Sequence, residues 1–312
     1  MDNFIFSLNA TIPVFFVIFM GWFLKKIGII DERFSQVNDR LSFKVLFPLL
    51  LFRDISAADL KQDFDIKFAV FCFSATFLCF SVIWILSEIF IKDKSIIGSF
   101  VQGSFRGSAA ILGVAFVQNM YGNSGMVPLM IVAAVPLYNI FSVIILTVRG
   151  KSNEKISIKK LLMSIVKNPM IIGIFTGLPF ALLEVQFPVM IEKCISNLSV
   201  LTTPLALLSV GAGFEFKNAK AKLKPSIIAS VIKLVIQPAI LLPVAIMMGF
   251  RNQEIIALLI MTGAPTTVSS FIMAKNMNND AELASSIVVI TTLFSSVTIT
   301  AMIFILKTSG YV

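Results

Sequence analysis

Two short stretches concentrate the residues that could do chemistry. The first reads Gln102-Gly103-Ser104-Phe105-Arg106-Gly107-Ser108-Ala109-Ala110-Ile111-Leu112-Gly113, with three glycines and two serines. The second reads Thr262-Gly263-Ala264-Pro265-Thr266-Thr267-Val268-Ser269-Ser270. Both lie inside apolar runs, where glycine, proline and hydroxyl side chains loosen a helix. A helix broken in this way exposes N–H groups and the positive end of a dipole, which suits an anion. Unpaired backbone groups inside a membrane are tolerable only beside a cavity, so paired breaks also imply one. Three cations fall within apolar runs: Lys44, Arg106 and Lys233. Charge at such depth is costly and marks a candidate site. Arg106 abuts the first break and is expected either to face a carboxylate or to snorkel to the nearer membrane face. Lys233, four residues before Gln237-Pro238, is expected to pair with an anion or to clamp helix-end carbonyls. Lys44, close to a helix end, is expected to snorkel.

Other kinds of chemistry lack their residues. The chain has no histidine, the commonest general base and zinc ligand. No Asp or Glu is placed mid-span; Glu88, Glu184 and Glu254 are placed near ends. This argues against a carboxylate proton relay and against a cationic substrate. Cys72, Cys79 and Cys194 form no CxxC pair and no disulfide framework. With no nucleophile–base pair, metal-ligand cluster or phosphate loop, the chain is not expected to be an enzyme. No cofactor is expected.

The elements that must carry these stretches follow from hydropathy. Hydrophobic residues make up 57% of the 312 and charged residues 14%, where a soluble domain carries roughly 25% charged. A span needs about 20 largely apolar residues. Spans are expected near 4–24, 37–55, 67–91, 96–121, 126–148, 163–183, 189–213, 226–249, 254–274 and 284–306. The seventh is the weakest, because Thr202-Thr203-Pro204 interrupts it. Met1 to Ala10 lack Lys and Arg, so the first run is read as a retained helix rather than a signal peptide. With ten spans, most loop cations fall on one side, among them Lys25, Lys26, Arg149, Lys151, Lys217 and Lys220. Positive residues gather in the cytoplasm, so both termini are expected outside it, in an inner-membrane protein. The net charge of +9 is then a product of topology and not a nucleic-acid surface.

The chain also resembles itself. At an offset of 157 residues, Leu41-Ser42 falls on Leu198-Ser199, Lys67 on Lys224 and Asn119-Met120 on Asn276-Met277. Pro48 and Pro204 miss by one residue, and Pro265 falls opposite Ser108. Five spans per half is an odd number, so similar halves must face opposite ways, the inverted-repeat plan of secondary transporters. The expected division is 1–148 for the first repeat, 149–162 for a basic cytoplasmic linker and 163–312 for the second repeat. The expected fold is all-α, with ten transmembrane helices in two inverted five-helix repeats and broken helices four and nine. The expected substrate-binding residues are Arg106, Gly107, Ser108, Gly113 and Asn119 from span four, Lys233 from span eight, and Pro265, Thr266, Thr267 and Ser270 from span nine.

At these residues the sequence resembles the auxin efflux carrier family, which includes plant auxin exporters and bacterial permeases for malonate or malate. The resemblance covers essentially the whole chain. It is carried by Ile12-Pro13 with Gly21, by Leu24-Lys25-Lys26-Ile27-Gly28-Ile29 and by Phe47-Pro48-Leu49-Leu50-Leu51-Phe52. Asn168-Pro169, Thr203-Pro204-Leu205-Ala206-Leu207, the Lys233 to Pro238 segment, Ala264-Pro265-Thr266 and Phe271-Ile272-Met273-Ala274-Lys275 extend it, with Thr291-Thr292 in the tenth span. It implies a crossover of spans four and nine and a small mono- or dicarboxylate bound there in an elevator-type cycle. The implied fold is similar to that of sodium/proton antiporters and bile-acid symporters. Pro265 matches the family's span-nine proline. Ser108 stands where the family often has Asn, Ala115 where many members have a proline, and Ser270 where plant members have a second proline. A sodium-coupled organic-anion symporter is the alternative, with Na+ as coupling ion on Ser108, Asn119, Thr266, Thr267 and Asn276. The expected partners are the anion, the lipid bilayer and a second copy in a homodimer, with no nucleic acid.

Overall fold

A computed structural model describes residues 2–57, 65–109, 117, 120–121, 125–150, 158–213 and 222–312. The described residues are mostly helical, and they contain no strand. Helices α1 (Asp2–Lys26), α2 (Glu32–Leu41), α3 (Phe47–Ser56), α4 (Ile66–Phe90), α5 (Ile97–Phe105) and α6 (Val127–Val148) occupy the N-terminal half. The C-terminal half contains α7 (Ile158–Val166), α8 (Pro169–Leu182), α9 (Val189–Ala212), α10 (Leu223–Val231), α11 (Gln237–Met247), α12 (Asn252–Gly263), α13 (Ser269–Asn276) and α14 (Ala281–Thr308). Two π-helical turns, Ser42–Leu46 and Ile232–Ile236, join α2 to α3 and α10 to α11. Each turn sits just ahead of a proline, Pro48 or Pro238, whose missing N–H breaks the regular ladder.

Polar residues start the helices. The side chains of Asp31, Asp65, Asn168 and Asp280 each accept bonds from N–H groups in the first turn of α2, α4, α8 and α14, meeting donors that the helix leaves free. Five described stretches are long and apolar enough to cross a membrane: Ile66–Phe90, Val127–Val148, Val189–Ala212, Leu223–Met247 and Ala281–Thr308. Their outer faces are greasy. Phe73, Phe77, Ile89 and Phe90 on α4 and Phe294, Phe304 and Ile305 on α14 are exposed, as expected where the solvent is lipid.

Several boundaries differ from the sequence expectations. The second span runs on through its π turn and starts at Glu32, five residues early. The sixth is divided at Lys167-Asn168, where Asn168 caps a new helix that opens with Pro169. Its first part, α7, begins at Ile158, inside the stretch assigned to the linker; residues 151–157 lie outside the described residues. The seventh is one unbroken helix, contrary to the interruption expected at Thr202-Thr203-Pro204. One missing N–H does not stop α9, because it is packed along its length. Gly211 lies so close to α1 that a Cβ there would run into the Ile18 carbonyl. A Cβ on Gly173 of α8 would likewise run into the Pro48 carbonyl of α3. Small residues let membrane helices approach to backbone contact, so α1 locks to α9 and α3 to α8.

The centre belongs to the two helices that end early. Every residue of α5 is buried, and so is every residue of α12 from Ile255 to Gly263. A helix apolar all round is a buried helix. Helices α4 and α6 pack on α5, while α11 and α14 pack on α12. The C-terminal ends of α5 and α12 meet inside this wrap.

Candidate functional site

Both central helices stop where the sequence loosens. After Phe105 the chain turns extended at Arg106 (φ −100°, ψ 146°), and after Gly263 it does so at Ala264 (φ −66°, ψ 151°). The two extended strips touch, with the Ser108 N–H donating to the Pro265 carbonyl at 2.8 Å. Gly107 permits this approach. A Cβ there would stand 2.9 Å from Lys233 Cε and 3.1 Å from the Ala264 oxygen.

Ending a helix in the interior strands carbonyls, and each must find a donor. Side chains from other elements supply them. Thr266 Oγ1 donates to Gly103 O at 2.6 Å, and Gln237 Nε2 donates to Ser104 O. At the other end, Lys233 Nζ donates to Thr262 O at 2.7 Å and to Met261 O at 3.1 Å. The Tyr138 hydroxyl also donates to Met261 O, at 3.0 Å. The Thr266 N–H donates to Thr291 Oγ1 at 3.1 Å. Lys233, fully buried, is thus a clamp on the negative end of α12, where a cation is favoured.

Arg106 is buried too, at 4% exposure, so it does not snorkel. One terminal nitrogen donates to Ser142 Oγ at 3.0 Å and lies 3.1 Å from Met273 Sδ; the other donates to Ser269 Oγ at 2.9 Å. Its Nε has no partner among the described residues. Among the described residues no carboxylate lies within ion-pair distance of it. A buried cation held only by neutral groups is electrostatically unfinished.

A small cleft of about 70 Å³ opens beside it. Phe47, Leu50, Leu51 and Asp54 of α3 form one part of its lining, and Val135, Tyr138 and Asn139 of α6 another. Arg106, Gly107, Ser108, Ala109, Thr267 and Ser269 complete it. Asn139 donates to the Val135 carbonyl at 2.9 Å, leaving its own Oδ1 buried without a partner. The lining therefore holds an unpaired donor, Arg106 Nε, and an unpaired acceptor, Asn139 Oδ1, and buried orphans of this kind call for an explanation.

The structure brings Arg106, Gly107, Ser108 and Thr267 to the cleft. Pro265 and Thr266 lie behind it as parts of the crossover, and Lys233 stands behind Gly107. Ser270 is buried in the first turn of α13, its hydroxyl unpaired, away from the cleft lining. Gly113 and Asn119 lie outside the described residues. Of the oxygen donors named for Na+, Thr266 already donates its hydroxyl to Gly103, and the Asn276 amide bonds the Ile272 carbonyl in an exposed turn.

Sequence reasoning missed Asp54, Tyr138, Asn139, Ser142 and Met273. Asp54 was within the second span but too near its end to be counted as an acid at depth. Tyr138, Asn139 and Ser142 share one face of α6, and their i, i+1, i+4 spacing was the signal available.

Comparison with known proteins agrees with this architecture. The family described as "Membrane transport protein" matches residues 6–303. The chain is 23% identical over 302 residues to an uncharacterized transporter of Methanocaldococcus jannaschii, covering 92% of this chain and 95% of that protein. It is 22% identical over 315 residues to a protein of Rhizobium meliloti named "Putative malonate transporter", covering 97% and 96%. An uncharacterized transporter of Methanothermobacter thermautotrophicus is 19% identical over 297 residues, covering 94% and 96%.

Proposed function

The chain belongs to the membrane transport protein family, that of the auxin efflux carriers, and from this premise we propose that it is a secondary transporter of a small organic anion, a mono- or dicarboxylate. The observation that carries the reading is Arg106. It is a buried guanidinium with no acidic partner among the described residues and with its Nε unpaired among them, on a cleft beside two helix ends that break against each other. A carboxylate entering the cleft would supply the missing charge and could accept from the guanidinium in a charge-assisted bond. The Ser108 and Thr267 hydroxyls are half-buried at the same lining and would orient it. The malonate in the name of the Rhizobium meliloti relative is a carboxylate of this class.

The transport cycle in this reading is alternating access of the elevator type, on ten helices in two inverted repeats, residues 1–148 and 163–312. Two features support it. The breaks after α5 and α12 fall in corresponding parts of the two halves, and so do the glycine-lined contacts of α1 with α9 and of α3 with α8. Helices α5, α12 and α13 are bonded to one another across the crossover and would move as one body. The protein would lie in the inner membrane with both termini outside the cytoplasm.

The test is uptake of labelled short-chain mono- and dicarboxylates into liposomes holding the purified protein, with sodium and without. Saturable uptake abolished by Arg106→Met supports the reading. Sodium dependence would make it a symporter, and sodium independence a uniporter. Ohmic, non-saturating anion current would replace the carrier with a channel.

A further inference from the structure

The cleft carries an acid as well as a base. Asp54 lines it from α3, while Arg106 lines it from the end of α5. The two are not paired with each other. Asp54 is held instead by its chain neighbour, with Arg53 Nη2 donating to Asp54 Oδ1 at 2.8 Å and Arg53 Nε to the same oxygen at 3.1 Å. Both bonds fall on Oδ1. Among the described residues no donor bonds Oδ2. The Asp54 side chain is 19% exposed, and Arg53 is absent from the cleft lining. Leu50, Leu51 and Val135 line the same cleft, an apolar surface that suits a short carbon chain. Among the described lining residues Arg106 is the one cation, enough for one carboxylate, and Asp54 adds a carboxylate oxygen with accepting capacity to spare.

We propose that Asp54 selects a carboxylate whose far end is a cation or a hydrogen-bond donor, an ω-amino or ω-hydroxy acid, over a dicarboxylate. This rests on the anion reading of the same cleft and narrows it. A second carboxylate would find no second cation among the described lining residues and would meet the like charge of Asp54 in a partly dry space, where like charges repel strongly. An ammonium or hydroxyl would instead donate to Asp54 Oδ2. A site built to receive a donor discriminates sharply against a ligand that lacks it. Bonds to charged groups correspond to factors of about tenfold to a hundredfold in affinity.

The experiment measures binding to the purified full-length protein by calorimetry at neutral pH. The probes share one carbon skeleton: β-alanine, 3-hydroxypropionate, propionate and malonate, with their four-carbon homologues as a second set. The expected order places the amino and hydroxy acids at least about tenfold tighter than propionate, with malonate weakest. Asp54→Asn should erase the β-alanine advantage and strengthen malonate about tenfold or more, while propionate stays nearly unchanged. Asp54→Glu should keep the wild-type order. Should Asp54→Asn fail to fold, the wild-type order decides alone. Malonate binding tightest to the wild type would overturn the proposal. If none of the acids binds folded protein, the anion reading itself fails, and this proposal with it.

Discussion

Lys233→Met separates the two roles open to a buried lysine. Its ammonium donates to Thr262 O at 2.7 Å and Met261 O at 3.1 Å, with Gln237 Oε1 at the limit, 3.5 Å. Methionine keeps the stem and removes the donors. The Met261 carbonyl retains the Tyr138 hydroxyl, so one backbone carbonyl, that of Thr262, loses its inter-helix donor, along with the long contact to Gln237 Oε1. A buried group left unsatisfied costs about 1–3 kcal/mol. An ordinary side-chain bond within a membrane averages only about 0.6 kcal/mol. Loss of the cation at the α12 C-terminus adds to the cost, while removing a buried ammonium relieves its desolvation and works the other way. The net expectation is a destabilisation of about 1–3 kcal/mol, visible as a lower midpoint of unfolding in detergent. Mono- and dicarboxylates should weaken by the same factor, because the lysine bonds carbonyls behind Gly107 and is not itself part of the cleft lining. An unchanged midpoint, together with an affinity loss greater for dianions than for monoanions, would refute the clamp and put Lys233 in contact with the ligand.

Thr266→Val removes the donor on the Gly103 carbonyl at 2.6 Å and keeps the shape. It should lower the unfolding midpoint and reduce uptake, whereas Thr267→Val, half-buried at the cleft, should weaken binding with little change in midpoint. Ser108→Leu places a large side chain at the cleft and leaves its backbone bond to Pro265 available. It should abolish uptake in protein that still runs as a folded species on gel filtration. Gly173→Leu should drive α8 off α3, where even a Cβ meets the Pro48 carbonyl, and give little folded protein on extraction.

The broken helices were legible in the sequence because their signals are local. Glycine, proline and hydroxyls interrupt an apolar run, and the structure ends α5 and α12 within those stretches. Arg106 was legible because a charge among apolar residues has few places to go, although the sequence left its direction open between burial and snorkelling. Its direction is set by Ser142, Met273 and Ser269, which come from α6 and α13. No spacing along one helix encodes such a meeting. Pro204 misled for the opposite reason. The local signal for a break was present, but packing of α9 on α1 and α3 outweighs one missing backbone bond. Asp54 was hidden by its position close to a span end, where an acid is unremarkable until the fold turns α3 toward the cleft.

The central claim is that Arg106 receives the anion, and Arg106→Met tests it most directly when binding of short carboxylates is measured beside a neutral amide of each acid. The account predicts that the wild type binds the acids and not the amides, and that Arg106→Met, folded with Ser142 and Ser269 in place, loses acid binding by about tenfold or more, the value of a charge-assisted bond. Acid binding unchanged in the folded variant would contradict it.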